Sequence, residues 1–129
     1  MRGTTVESQN HSSSPRSWLA ASGALLAALG VAVAAYAAHA VEGAARESLR
    51  TAAAMAFGHG IALAALAPTM ARALGKIALV MLLSGSLLFS GALLVSHAFG
   101  LSPRTAPFGG SLLIFGWLLY AIDAARSRL

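Results

Sequence analysis

The chain has 129 residues, 57% of them hydrophobic and 10% charged, with a net charge of +5 and no cysteine. A soluble domain carries about a quarter charged residues, so this composition excludes an ordinary soluble enzyme. The lack of cysteine excludes disulfides, thiolate metal sites and cysteine nucleophiles. The positive balance does not indicate nucleic acid, because no basic cluster is longer than Arg126-Ser127-Arg128 and no soluble domain is left to present one.

Residues 1–17, MRGTTVESQNHSSSPRS, are polar, serine-rich and without apolar periodicity, and the composition predicts a disordered tail. Glu7 and the absence of an amphipathic arginine face count against an organellar targeting peptide. Beyond the tail, four stretches carry no Asp, Glu, Lys or Arg: 17–41, 51–71, 77–103 and 105–122, of 25, 21, 27 and 18 residues. A span needs roughly 20 mostly apolar residues. The first three satisfy this directly, and the fourth does so with its ends at headgroup level. The fold class expected is all-α: a polytopic integral membrane protein with four transmembrane helices in a compact bundle, residues 18–126, and a short C-terminal end at 127–129.

The first span, about 18–40, carries Trp18 and Tyr36 as interfacial aromatics near its two ends. Its last part, AAYAAHAVEG, contains the triplet Ala38-His39-Ala40, which also fits a signal-peptidase site. Signal-peptide apolar regions run about 7–15 residues, whereas 18–40 is long enough to span without removal, so length favours a retained span. A polar loop, VEGAARESLR, precedes the second span, about 51–70, which Pro68 bends or ends. A short turn with Arg72 and Lys76 leads to the third span, about 77–99. The connection GLSPRTAP holds Pro103 and Pro107, and Thr105 is the expected N-cap of the fourth span, about 106–122. Four spans put both termini on one face. That face collects Arg2, Arg16, Arg72, Lys76, Arg126 and Arg128 against Arg46, Arg50 and Arg104 on the other, which predicts cytoplasmic termini.

Four segments carry a resemblance to a known family. Residues 34–40, AAYAAHA, resemble a G-A-F-G-A-H-A-type segment with both glycines replaced by alanine. Thr51-Ala52, Phe57, His59, Ala62 and Leu63 fit a T-A-x-x-Y-Q-x-Y-H-A-L-A-L pattern, in which Met55, Ala56 and Gly58 replace the Tyr-Gln and Tyr positions. Leu88-Phe89-Ser90-Gly91-Ala92-Leu93 matches L-F-S-G-S-L. Thr105, Pro107, Gly109, Gly110, Gly116 and Trp117 match T-P-x-G-G…G-W, with Ala106 inserted. The chain resembles the YgdD-like family of small membrane proteins, domain of unknown function 423, which is related to transmembrane protein 256. The resemblance implies that the first segment is an integral span and that there are four in all. It implies an architecture and no activity, and the setting expected from it is a bacterial inner (plasma) membrane.

Ionisable groups inside spans are costly and mark candidate sites. His39, His59 and His97 lie in apolar runs, and the predicted topology puts all three in the outer half of the bundle. Imidazoles there could bind a transition metal or haem, or relay protons. The plainer reading is structural, since a neutral histidine donates one hydrogen bond and accepts another and so ties adjacent helices. No H-E-x-x-H or i, i+4 histidine pair is present. Ser86, Ser90 and His97 share one face of the third span, which suits a pore lining or, more simply, close helix packing. Gly30, Ala34 and Ala38 and the pair Gly109 and Gly116 read as packing surface in the same way, with Gly110 beside them. Gly58-His59-Gly60 marks close packing against the histidine or a small cavity. Asp123 and Arg126 read as an exposed i, i+3 pair, and Glu42, three residues after His39, could orient it.

No G-x-S-x-G, Walker loop or intramembrane carboxylate pair is present, and the nearest approach to catalysis, a Ser90–His59 hydrolytic pair, needs a cavity. The expectation is a non-enzymatic structural or accessory membrane protein without cofactor, in contact with the lipid bilayer and assembling with itself or a larger membrane complex. The alternative is a small-solute or proton pathway through His59 and the Ser86/Ser90/His97 stripe. Metal or haem binding by His39, His59 and His97 comes third.

Overall fold

A computed structural model describes residues 3 and 16–126; the expected tail and the last three residues fall outside these, apart from positions 3, 16 and 17. Four α-helices follow one another: α1 (Trp18–Ala40), α2 (Gly43–Leu66), α3 (Ala73–Phe99) and α4 (Ala106–Arg126), with a 3-10 turn, Ala67–Thr69, after α2. All four are long and apolar enough to cross a membrane. Large apolar side chains such as Leu25, Val31, Ile77 and Ile114 point outward, an arrangement that lipid solvates and water does not. The chain is a four-helix integral membrane bundle.

Local chemistry sets the ends. Ser17 Oγ accepts from Ala20 N–H at 3.2 Å and caps α1, so the last residue of the expected tail is the N-cap of the first helix. Gly43 adopts φ +66° at the α1–α2 turn, a left-handed conformation that glycine takes without a Cβ penalty. Arg46 Nε donates to Val41 O at 2.6 Å across that turn. The expected polar loop is therefore mostly helix. Ala44, Ala45, Arg46, Glu47 and Leu49 are good helix formers, and their polarity marks where the helix leaves hydrocarbon, not where it stops. For the same reason α3 starts at Ala73 and α4 continues to Arg126. Pro68 ends α2 in the 3-10 turn. Thr105 precedes α4, and its carbonyl accepts from Gly109 N–H at 3.1 Å. Gly100, at φ +67°, closes α3 in the left-handed C-terminal geometry.

Antiparallel neighbours pair as two hairpins, α1 with α2 and α3 with α4, and α2 packs on α3 between them. The main core lies at that junction: Leu26, Ala56 and Leu63 meet Leu79, Leu82 and Leu113. A smaller cluster of Ala37, Val41 and Leu49 fills the Tyr36 end, with Leu94 against it.

The two hairpins are sealed in the same way. A Cβ placed on Gly23 would lie 2.7 Å from Gly60 O and 2.8 Å from Ala64 N, and one on Gly60 would lie 2.5 Å from both Gly23 O and Ala27 N. In the second hairpin a Cβ on Gly85 would lie 2.9 Å from Gly109 O and 3.0 Å from Leu113 N, and one on Gly109 would lie 2.8 Å from Gly85 O and 2.5 Å from Phe89 N. Each crossing is a reciprocal glycine pair in which either backbone also meets the residue four positions beyond its partner. Gly30 and Gly116, seven residues on from Gly23 and Gly109, extend the two seams against Phe57 and Ala53 and against Leu82 and Ala78. At Gly23, Gly30, Gly60, Gly85 and Gly109 the atoms in the way include main chain, so a side chain there would push the helices apart, whereas at Gly116 the nearest atom is the end of the Leu82 side chain. In lipid, where apolar surface gains nothing by association, such backbone contact supplies the packing attraction.

Candidate functional site

Three polar contacts of the spans occupy a different seam, where one hairpin meets the other. On α2, His59 is half-buried. Its Nδ1 lies 2.7 Å from Met55 O, and its Nε2 accepts from Trp117 Nε1–H of α4 at 3.1 Å. A carbonyl only accepts and an indole N–H only donates. This fixes the neutral tautomer with the proton on Nδ1 and leaves neither nitrogen free. The imidazole and indole centroids are 6.0 Å apart, and Tyr120 meets Trp117 edge-on at 5.9 Å. On α3, the buried Ser90 Oγ donates to Ala52 O of α2 at 2.9 Å. At the Tyr36 end, the Tyr36 hydroxyl of α1 lies 3.4 Å from His97 Nε2 of α3, with the rings in a T-shaped contact. Each of these three bridges joins the first hairpin to the second.

The sequence-predicted residues are thereby placed. His59, Ser90 and His97 each cross the inter-hairpin junction, but not as one site. His39 is exposed and makes no hydrogen bond among the described residues, and Glu42 does not orient it. Among the described residues no group of three His, Asp or Glu side chains could hold a metal, so the three histidines do not form a ligand set. Ser86 lies on the same buried face as Ser90, yet its hydroxyl has no hydrogen-bond partner among the described residues. A small cleft of about 90 Å³ beside Ser90 is otherwise lined by apolar groups, among them Leu26, Val33, Ala56 and Leu94. Ser90 and His59 each bond elsewhere and form no Ser–His pair. The Gly58-His59-Gly60 triplet divides: Gly60 is the close crossing with α1, whereas a Cβ on Gly58 would meet nothing within 4 Å. Gly109 is buried in the α3–α4 seam, and a Cβ on Gly110 would meet just the Phe89 ring, at 3.9 Å.

The expectation for Asp123 is overturned. Asp123 is not an exposed partner of Arg126: it is 6% exposed, and among the described residues the one ion pair is Arg50–Glu47 at 3.3 Å. Its carboxylate lies against the first turn of α3, where a Cβ on Gly75 would sit 2.8 Å from Asp123 Oδ2. Sequence spacing along α4 shows Arg126 nearby but does not show that a glycine on the facing helix leaves room for the carboxylate to turn inward. Trp117 and Gly23 were likewise missed as a bridge partner and a crossing point. The seven-residue interval Gly23–Gly30 repeats that of Gly109–Gly116 and was the available signal.

The fold and its seams define a class: small polytopic α-helical membrane proteins, built here as two hairpins. Within that class the chain belongs to the DUF423 family, described as protein of unknown function, whose model matches residues 33–110. The match runs from the second half of α1 through α2 and α3 into the first turn of α4. It includes all the bridging residues except Trp117 and stops short of Gly116 and Asp123. Neither the curated proteins nor the solved structures give a match to the chain.

Proposed function

We propose that this is a non-enzymatic accessory protein of the plasma membrane, with both termini cytoplasmic, that assembles through a lipid-facing groove between α1 and α2. The observation that carries this reading is the groove itself. It measures about 410 Å³ and is floored by Gly30, Ala34, Ala38, Ala53 and Ala54, with Val31, Phe57 and, at one end, Arg50 beside it. The small residues that seal the hairpins are used up inside the chain, but Ala34, Ala38 and Ala54 remain exposed. A partner helix can approach closely over such a surface, and van der Waals contact then supplies the association that lipid does not. The engaged nitrogens of His59 and the bonded hydroxyl of Ser90 support a structural role for the polar residues over a solute or proton pathway. The excess of Arg and Lys at the Trp18 end supports the orientation.

Native mass spectrometry and crosslinking in lipid test the assembly. Wild-type protein is expected to give a dimer or a complex with a second membrane protein, and Ala34→Leu together with Ala54→Leu fills the groove and abolishes it. Monomers alone at native lipid ratio, with no crosslinked partner, would refute the proposal.

A further inference from the structure

At the Trp18 end the bundle holds a carboxylate that neither the glycine seams nor the polar bridges use. Asp123, on the last turns of α4, is 6% exposed and has no hydrogen bond or ion pair among the described residues. Burying a carboxylate without a partner is costly, and two features of the site bear on that cost. One is structural. Asp123 Oδ2 lies by Gly75 in the first turn of α3, where Arg72 provides no side-chain cap and the first amides have no acceptor within the helix. A negative charge is favoured at that helix end. The other feature is that Asp123 also borders a cleft of about 330 Å³, shared with Thr69, Met70, Arg72 and Tyr120. Asp123 thus lines a cleft as well as the helix end.

The cleft is lined by groups of opposite charge. Arg72, exposed and without an ion pair among the described residues, supplies a guanidinium. Asp123 supplies the carboxylate, and Tyr120 adds an aromatic ring. A guanidinium binds phosphate oxygens through paired N–H donors. A carboxylate accepts from ammonium N–H groups, and an aromatic face attracts the same cation. The cleft sits where α2 ends, α3 begins and α4 ends. Ile77 and Ile122, next to it along α3 and α4, are 53% and 50% exposed on the lipid-facing surface. An occupant held here has its polar end in the cleft and a route for acyl chains along the two isoleucines.

We propose that this cleft is a binding site for the headgroup of a zwitterionic aminophospholipid, with the primary ammonium of ethanolamine on Asp123 and the phosphate on Arg72. The carboxylate distinguishes this site from a general anionic-lipid surface. The adjoining cleft, lined by Arg16, Trp18 and Lys76 among others, has cations but no carboxylate and would favour anionic headgroups. Of these two clefts, the Asp123 cleft is the one that offers both signs among the described residues.

The test is native mass spectrometry of the full-length protein in mild detergent, given equal amounts of phosphatidylethanolamine, its mono- and dimethyl derivatives, phosphatidylcholine and phosphatidylglycerol, all with the same acyl chains. Retention is expected to fall stepwise as methyls replace N–H donors, with about a tenfold preference for ethanolamine over choline if a charge-assisted hydrogen bond is lost. Asp123→Asn, which keeps the shape, should flatten the series. Arg72→Gln should lower retention of every phospholipid alike. Soluble phosphoethanolamine tells a headgroup site from one that needs the acyl chains, since it displaces the lipid only in the first case. Should Asp123→Asn fail to accumulate, the methylation series on wild type still decides. A flat series, a preference for phosphatidylglycerol, or an unchanged series in Asp123→Asn would overturn the proposal, and in the last case the carboxylate serves only the α3 helix end.

Discussion

The seams within the hairpins and the seam between them are built from different chemistry. Inside each hairpin, two helices meet backbone to backbone at a reciprocal glycine pair, Gly23 with Gly60 and Gly85 with Gly109. Between the hairpins, leucines form the core while His59, Ser90 and Tyr36 each reach across to make one polar contact. A glycine crossing tolerates no added atom, because the neighbour is main chain and cannot move independently. A polar bridge has modest net strength. Hydrogen bonds between membrane helices average about 0.6 kcal/mol, since the separated helices also find partners. A glycine crossing therefore leaves less room for change than a polar bridge does.

The largest expected effect comes from breaking a hairpin seam. Gly109→Leu places a branched side chain against Phe89 N and Gly85 O, and overpacking of this kind costs about 3 kcal/mol. Reversible unfolding in lipid bicelles should show the loss, and a stable Gly109→Leu protein would mean that the α3–α4 crossing is not close-packed. The bridges should respond more weakly. A double-mutant cycle between His59→Ala and Trp117→Phe is expected to give a coupling of about 0.6 kcal/mol, below about 1.7 kcal/mol in any case. A coupling as large as the glycine effect would erase the distinction between the two kinds of seam.

The sequence made the helices legible and their partners much less so. Four charge-free runs bounded by Arg, Lys, Glu or Asp are enough to locate four spans, because the cost of a charge in hydrocarbon acts on each segment separately. Charge did not mark the helix ends: residues 43–50 are polar and still helical, since helix formation continues past the hydrocarbon. The bridges were half readable. An imidazole in a span needs a donor and an acceptor, so His59 was expected to tie helices together, but its choice of Trp117 depends on how α2 and α4 sit across α3. Ser86 and Ser90 look equivalent on one helical face, yet only Ser90 meets a carbonyl. Asp123 shows the same limit, since the space beside it is set by Gly75 on another helix, against which Met70 also packs.

Gly58 and Gly60 test the central claim most directly, because they stand two residues apart on one helix and flank the same histidine. A methyl on Gly60 would strike Gly23 O and Ala27 N, while one on Gly58 would meet nothing. Unfolding free energies of Gly58→Ala and Gly60→Ala, measured side by side in the same bicelles, are predicted to move in opposite directions. Gly60→Ala should lose about 1–3 kcal/mol to overpacking, and Gly58→Ala should gain up to about 1 kcal/mol in helix propensity. Equal effects, or a loss at Gly58 with none at Gly60, would contradict the assignment of the glycine crossing as the element that holds each hairpin together.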